Sequence, residues 1–277
     1  MGPEMRAAEN SVPEKAPGAE PEAGMFRDVP AIQVTGDVAE KTTHEVVEEI
    51  PFALFINGRH AMTAMMSPEN LEDFVIGYLF TEQIIRNVDE IESIRIEKNR
   101  ISVLTTNLFK VVGPKKTILS GCGGSTSYID TEKLPKIQSD LKISSRMIWD
   151  RMKSGLESDL HKKTGGIHVV VLADRNGIVA HAEDIGRHNA MDRVIGWGLR
   201  NGIDFSGTFT ICSGRISSEM ARKCLMANIP VVISRSATTT LAIDIAQKTG
   251  LTIVAFARGQ KMMIYTNPER IEGSIIP

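Results

Sequence analysis

The sequence predicts an α/β fold, in which a small α+β unit precedes a larger, mainly parallel sheet covered by helices. Three observations carry this. Between residues 167 and 257 the apolar runs "IHVVVLAD", "GTFTIC", "PVVIS" and "LTIVAFA" alternate with segments of helical period. Continuous apolar strands separated by helices argue a parallel sheet covered on both faces. Upstream, "PFALFINGRHAMTAMM" and "IESIRIEKNRISVLTT" read as hairpins flanking one helix, the first turning at Asn57-Gly58. A composition of 42% hydrophobic and 24% charged residues in 277 is that of a globular protein with a normal core.

In chain order, residues 1–25 are Pro, Glu, Ala and Gly with almost no large apolar side chain. Burial cannot offset their ordering entropy, so a disordered tail is expected. Residues 26–113 form the small α+β unit. Its helix is expected to open at Ser67-Pro68, with Ser67 as cap and Pro68 in the first helical position. Leu71, Phe74, Val75, Tyr78 and Leu79 then give a core-facing stripe. Residues 114–128 read as a mobile loop around Cys122, and 129–277 as the α/β ligand-binding domain. That domain begins with a helix near 145–160, ended by Gly165-Gly166. A hairpin at Asn176-Gly177 follows, then a helix with Met191, Val194, Ile195 and Leu199 on one face, then the alternating strands and helices.

The net charge of −2 gives no global footprint for nucleic acid. No apolar run is long enough to span a membrane, and the N-terminus has no signal-peptide core, so a cytoplasmic protein is expected. Three cysteines in a chain this long do not make a disulfide framework. Cys212 and Cys224 sit in apolar surroundings and read as core residues. Cys122, in "SGCGGS", is different: glycines at 121, 123 and 124 leave its sulfur sterically open. An exposed thiol on a flexible loop suits handing a group from one partner to another, although a stray cysteine in an ordinary linker has the same local sequence.

Ligands of open α/β sheets lie at the carboxyl ends of strands. Four such ends share a character here: "AEDIGRHN" brings Arg187 and His188, "CSGRISS" Arg215, "SRSATTT" Arg235, and "FARGQK" Arg258 and Lys261. Backbone N–H groups at helix starts and guanidinium forks together suit phosphate or another multivalent anion. Any one loop also reads as a plain helix cap. Asp184, Arg187, His188 and Asp192 look catalytic, yet Asp184 as a cap with Arg187 and His188 facing solvent fits the residues equally well. No glycine-rich phosphate-binding motif is present. His181-Ala182-Glu183 matches half of the zinc deaminase signature, but no P-C-x-x-C follows, so no metal of its own is expected.

Taken together, "FINGRHAMTAMMSPENLEDFVIGYLFTE", "SGCGGS", "EDIGRHNAMDRVIG", "CSGRISSEMARKC", "PVVISRSATTTLAIDIAQKTGLTIVAFARGQKMMIY" and "NPERI" resemble the FdhD/NarQ family, the formate dehydrogenase accessory sulfurtransferases. The resemblance runs from about residue 30 to the C-terminus. It implies a cytidine-deaminase-like α/β domain without the deaminase zinc, and a homodimer. It also implies a sulfurtransferase role: a cysteine desulfurase passes sulfur to Cys122 as a persulfide. The sulfur then goes to the molybdenum cofactor, in its bis(molybdopterin guanine dinucleotide) form, before that cofactor enters formate dehydrogenase. The family's cofactor segment corresponds to Phe256, Ala257, Arg258, Gly259, Gln260 and Lys261, with Arg187, Arg215 and Arg235 expected at the same edge. Phe256 would offer an apolar face to a base, or else be a core residue. The sequence departs from the C-x-x-C of many members, carrying Ser125 where a second cysteine would stand. The rival expectation is a cofactor-binding chaperone in which Cys122 plays no part.

Overall fold

The computed structural model describes residues 24–107, 116–118 and 134–273; the tail 1–23, Cys122 and Ser125 lie outside the described residues. The chain begins with a long hairpin, β1 (Phe26–Thr35) and β2 (Val38–Val47), turning at Gly36 with φ +60°. Almost every residue of both strands is exposed. The apolar/polar alternation that marks a half-buried strand is therefore missing, and the sequence reading gives no hairpin here.

The hairpin expected at Asn57-Gly58 is β3 (Ile50–Ile56) with β4 (Arg59–Met66), both turn residues having positive φ. Next come α1 (Leu71–Thr81), β5 (Ile91–Glu97), β6 (Arg100–Thr105) and β7 (Lys116–Ile118). The strand order is β5-β6-β3-β4-β7, so the segment expected as a loop at 114–128 contributes a short edge strand. The expected cap does not form. α1 starts at Leu71, behind Asn70, and Ser67 is fully buried, its backbone N–H donating to Asp184 at 3.1 Å. A buried carboxylate claims the backbone that a cap would have organised.

After β8 (Ile143–Ser144) the single helix expected at 145–160 is two, α2 (Ser145–Gly155) and α3 (Asp159–Thr164). Ser158 starts the second by accepting from His161 N at 2.7 Å, and Gly165 ends it in the left-handed region. There follow β9 (His168–Ala173), β10 (Ile178–Asp184), α4 (Arg187–Arg200), β11 (Phe209–Cys212), α5 (Ser218–Met226), β12 (Val231–Ser234) and α6 (Thr240–Thr249). The chain closes with β13 (Thr252–Arg258), β14 (Lys261–Ile264) and β15 (Ile271–Glu272), the last paired with β8.

The large sheet has the order β10-β9-β11-β12-β13-β14. It is mixed, which corrects the mainly parallel sheet expected from the apolar runs. Only β11-β12-β13 are parallel neighbours; β9 pairs antiparallel with both β10 and β11, and β14 with β13. The cause is the hairpin at Asn176-Gly177, whose first strand lies between its second strand and β11. Strands β10 to β13 nonetheless point the same way, and their carboxyl ends share one edge.

Apolar cores fill both faces of this sheet, one beneath α4, α5 and α6 and one beneath α2, while a third joins α1 to the smaller sheet. α1 and α4 cross where Gly77 and Gly196 face each other's backbones. Around that crossing four charges are buried. Asp184 receives Gly186 N at 2.7 Å, Asn189 Nδ2 at 2.8 Å and the Arg193 guanidinium, which also donates to Ser67 O at 2.8 Å. Lys223 Nζ lies 2.8 Å from both Asp192 oxygens, and Thr81 Oγ1 donates to Asp192 at 2.9 Å. Each charge has an opposite partner within hydrogen-bond distance, as holding charge in a core requires. Arg193 bonds through Nη2 alone, and its Nε and Nη1 have no hydrogen-bond partner among the described residues. Asp184 and Asp192 are therefore internal struts between the two sheets. Among the described residues no helix is long and apolar enough to cross a membrane.

Candidate functional site

The shared edge of β10 to β13 carries the loops that the sequence singles out, and backbone bonds lace three of them together. Arg235 N donates to Cys212 O at 3.2 Å, Ile216 N to Ala237 O at 3.0 Å, and Phe256 N to Ser236 O at 2.9 Å. The Ser234 hydroxyl ties in the loop after β11 by donating to Gly214 O at 2.6 Å. With their main-chain groups satisfied by one another, the loops hold their side chains in place.

Between them is a cleft of about 570 Å³. Arg235 and Arg258 supply charge to its wall, Ser213 and Ser236 hydroxyls, His161 and His168 imidazoles, and Phe256 an aromatic face. Phe256 owes its place to a bulge: pairing of β13 with β14 skips from Ala255 to Arg258, and Phe256 takes φ +52°. A bulky residue at positive φ is strained, and bulges beside sites re-aim side chains. Phe256 is 38% exposed, so it belongs to the cleft rather than the core. Gly259 and Gln260, at φ +57° and +61°, form the tight turn that returns the chain to Lys261.

Arg235, Phe256 and Arg258 meet in this cleft as the sequence suggests. Ala257 and Gly259 line a second cleft of about 350 Å³, which shares Arg235 and Arg258 with the first. Gln260 and Lys261 are exposed on the turn, and Arg215 is exposed outside both clefts. Arg187 is buried behind the first cleft: a Cβ on Gly214 would lie 3.1 Å from Arg187 Cδ and 3.0 Å from His168 Nδ1. Gly214 thus makes room for a cation backed onto an imidazole. Burial first, then Arg187 and His161, push the His168 pKa down.

Arg187 and His188 do not face solvent, which corrects the alternative of an exposed helix start. His188 Nε2 lies 3.1 Å from Ser217 Oγ and 3.5 Å from Glu219. Burial, followed by Arg187 and Lys223, lowers its pKa to about 3, so the Glu219 contact joins a neutral ring to a carboxylate. The folded pKa lies below the unfolded one, so this stability is complete above about pH 6.5 and is lost as the pH falls toward 3. Wild type is expected to lose up to ~1.4 kcal/mol per pH unit there from this group. His188→Gln should flatten that part of the curve in urea melts at stepped pH; an unchanged slope would show that His188 is not buried neutral.

Sequence reasoning missed His161, His168 and Trp149, which lines the second cleft. The signal for His168 was present: it opens a strand antiparallel to β11, so its first residue falls at β11's carboxyl end. Among the described residues no group of three or more His, Cys, Asp or Glu is arranged to hold a metal ion. Cys212 and Cys224 have no exposure, and burial pushes both thiols up to about 12.

Fold and cleft define a mixed α/β protein with an arginine-lined cleft at the carboxyl edge of its larger sheet. The FdhD/NarQ family model matches residues 47–272. Similar chains include the sulfur carrier protein FdhD of Wolinella succinogenes, 37% identical over 239 residues that cover 82% of each chain. That of Methanothermobacter thermautotrophicus is 34% identical over 248 residues, 89% of this chain and 99% of the other. A solved structure from Desulfotalea psychrophila, provisionally described as a formate dehydrogenase accessory protein, superposes with a TM-score of 0.76 at 26% identity. It covers 90% of this chain and all of its own. The chain belongs to the FdhD/NarQ family.

Proposed function

We propose that this protein is a sulfur carrier that serves formate dehydrogenase. The Cys122 thiolate attacks the terminal sulfur of a cysteine desulfurase persulfide. The donor's S–S bond breaks, the donor leaves as a thiolate, and Cys122 becomes the persulfide with no outside oxidant. That sulfur would pass to the molybdenum of bis(molybdopterin guanine dinucleotide), bound as substrate, before insertion into the dehydrogenase: the Cys122 S–S bond breaks, Cys122 leaves as a thiolate, and two electrons from the reduced metal bring the sulfur to the sulfido level. On this reading the protein works in the cytoplasm as a homodimer, and its larger sheet is a cytidine-deaminase-like scaffold.

The observation that carries the reading is the cleft, which Arg235 and Arg258 line together with an aromatic that the bulge leaves unpaired at positive φ. Such a set suits a base joined to a diphosphate, with guanidinium forks on the phosphates. Names of relatives and the buried state of Cys212 and Cys224 support it.

Calorimetric titration of GDP and ADP at fixed salt tests the cleft. A charge-assisted contact contributes about 1.5–3 kcal/mol, so Arg258→Ala should weaken GDP roughly 10- to 150-fold. Equal GDP affinity in wild type and variant would remove Arg258 from the site. Equal affinity for GDP and ADP would mean that only phosphate is read.

A further inference from the structure

We propose that the open face of the smaller sheet is where the sulfur-donating protein docks, through a patch of its own that is acidic around an apolar centre. This names the partner surface of the sulfur-carrier reading and rests on that reading. α1 packs on one face of the sheet β5-β6-β3-β4-β7. Side-chain alternation and the pairing of Phe55 with His60 and Ser102, and of Ser102 with Arg95, put these residues with Arg100 and Leu104 on the other face. None of the described apolar cores includes Phe55 or Leu104. Leu104 is 47% exposed, and the rings of Phe55 and His60 are half-buried.

The centre of this face is built in advance. The Arg100 guanidinium lies 4.0 Å from the Phe55 ring centroid, its Nε donates to Ser102 Oγ at 3.2 Å, and His60 packs edge-on to Phe55 at 5.2 Å. Among the described residues the two Arg100 Nη groups have no hydrogen-bond or ion-pair partner. A guanidinium already held still loses little freedom when a carboxylate meets its fork. Arginine on an aromatic, with Leu104 beside them, is the composition of an interface hot spot. The charge is positive in a chain whose net charge is −2: Arg95 and Arg100 stand on the face and Lys98 at the turn of the same hairpin, against Glu97, which lies 3.7 Å from Arg95.

Two observations assign the face to the donor. β7 pairs with β4 through Thr117 with Thr63 and Ile118 with Ala64, and Cys122 is the fourth residue after Ile118. Four residues span at most about 14 Å, so a partner with an ordinary footprint of about 800 Å² centred on Phe55 reaches the start of the thiol segment. The face is also turned away from the arginine cleft. α1 and α4 lie between the two sheets, and the cleft belongs to the larger one. A protein seated here leaves the cleft open for the sulfur acceptor.

The test uses the full chain with a cysteine desulfurase, reading affinity by biolayer interferometry and Cys122 loading by intact mass at sub-saturating desulfurase. Arg100→Glu should weaken binding about 30-fold or more and slow loading accordingly, with Leu104→Glu acting in the same direction. Wild-type affinity should fall as salt rises, and that of Arg100→Glu should respond less. Arg146→Glu makes the same charge change at an exposed site on α2 and should bind as wild type does. GDP affinity, and loading of Cys122 by inorganic polysulfide, should be the same in all four proteins. Wild-type desulfurase binding by both Arg100→Glu and Leu104→Glu would overturn the docking surface and leave the carrier reading standing. A wild-type protein that neither binds the desulfurase nor gains sulfur from it would instead remove the carrier reading. If Arg100→Glu sediments as a smaller assembly than wild type, the face joins two copies of this chain and the proposal falls. It falls equally if donor binding and loading persist while dehydrogenase activation is lost, since the face then serves the dehydrogenase. Should Arg100→Glu not fold, Leu104→Glu decides.

Discussion

Incubated with a cysteine desulfurase and cysteine, wild type should gain one sulfur atom in intact mass, and Cys122→Ala should gain none. Peptide mapping should place the label on Cys122, and the variant should fail to activate formate dehydrogenase. The loss is expected to be complete because the described thiols cannot substitute. Cys212 donates to Gly214 O at 3.3 Å and Ile233 O at 3.4 Å, and Cys224 lies 3.8 Å from Thr210 Oγ1. Both are fully buried with pKa values near 12, so at neutral pH neither presents a thiolate. Cys122 stands in sequence among glycine and hydroxyl residues, and a change in such a setting usually shifts stability by only about 0.5 kcal/mol. Melting of the variant should therefore match wild type. A label on Cys212 or Cys224 would sink the assignment. Full activation by Cys122→Ala would instead leave a cofactor-binding chaperone.

The sequence exposed the parts of this fold whose local chemistry is unambiguous. Asn57-Gly58 marks its hairpin because few other residues accept positive φ at both turn positions. The turn at Asn176-Gly177 has no positive φ and is held by Asp174, whose carboxylate accepts from Asn176 N at 2.7 Å and Gly177 N at 2.8 Å. Arg235 after β12 and Arg258 at the end of β13 could be placed at a strand edge because the direction of an apolar strand suffices for that. What escaped depended on distant partners. Ser67 has the sequence of a helix cap, but a carboxylate 117 residues away binds its backbone. Arg187 and His188 look like solvent-facing residues of a first helical turn until Gly214 and Ser217 pack over them. The β1–β2 hairpin buries too little to leave a period, and Trp149 resembles any apolar helix residue until Ala257 and Arg258 arrive beside it.

Gly196→Ala should destabilise the protein by about 2 kcal/mol or more, although alanine is the better helix former. In an open helix the same change would gain about 1 kcal/mol. Here the new Cβ would overlap the Asp73 carbonyl and lie 2.8 Å from Gly77 N. Across the same crossing, a Cβ on Gly77 would overlap the Asp192 carbonyl. These neighbours are backbone, so no side chain can swing aside and α1 must move off α4. Overpacking of this kind costs typically about 1–3 kcal/mol, and more where relaxation is blocked. Separation would also stretch the bonds from Ser67 to Asp184 and from Thr81 to Asp192, leaving buried charge less well paired. Once one alanine has parted the helices the second meets less resistance, so Gly77→Ala with Gly196→Ala should cost less than the two singles combined. Urea unfolding of the four proteins reads this directly. A neutral or stabilising Gly196→Ala would mean that the helices do not touch at this point. α4 begins at Arg187, directly behind His168 and Gly214, so a shift of this helix reaches the first cleft. GDP affinity should therefore fall in the Gly196→Ala protein even under conditions where it remains fully folded.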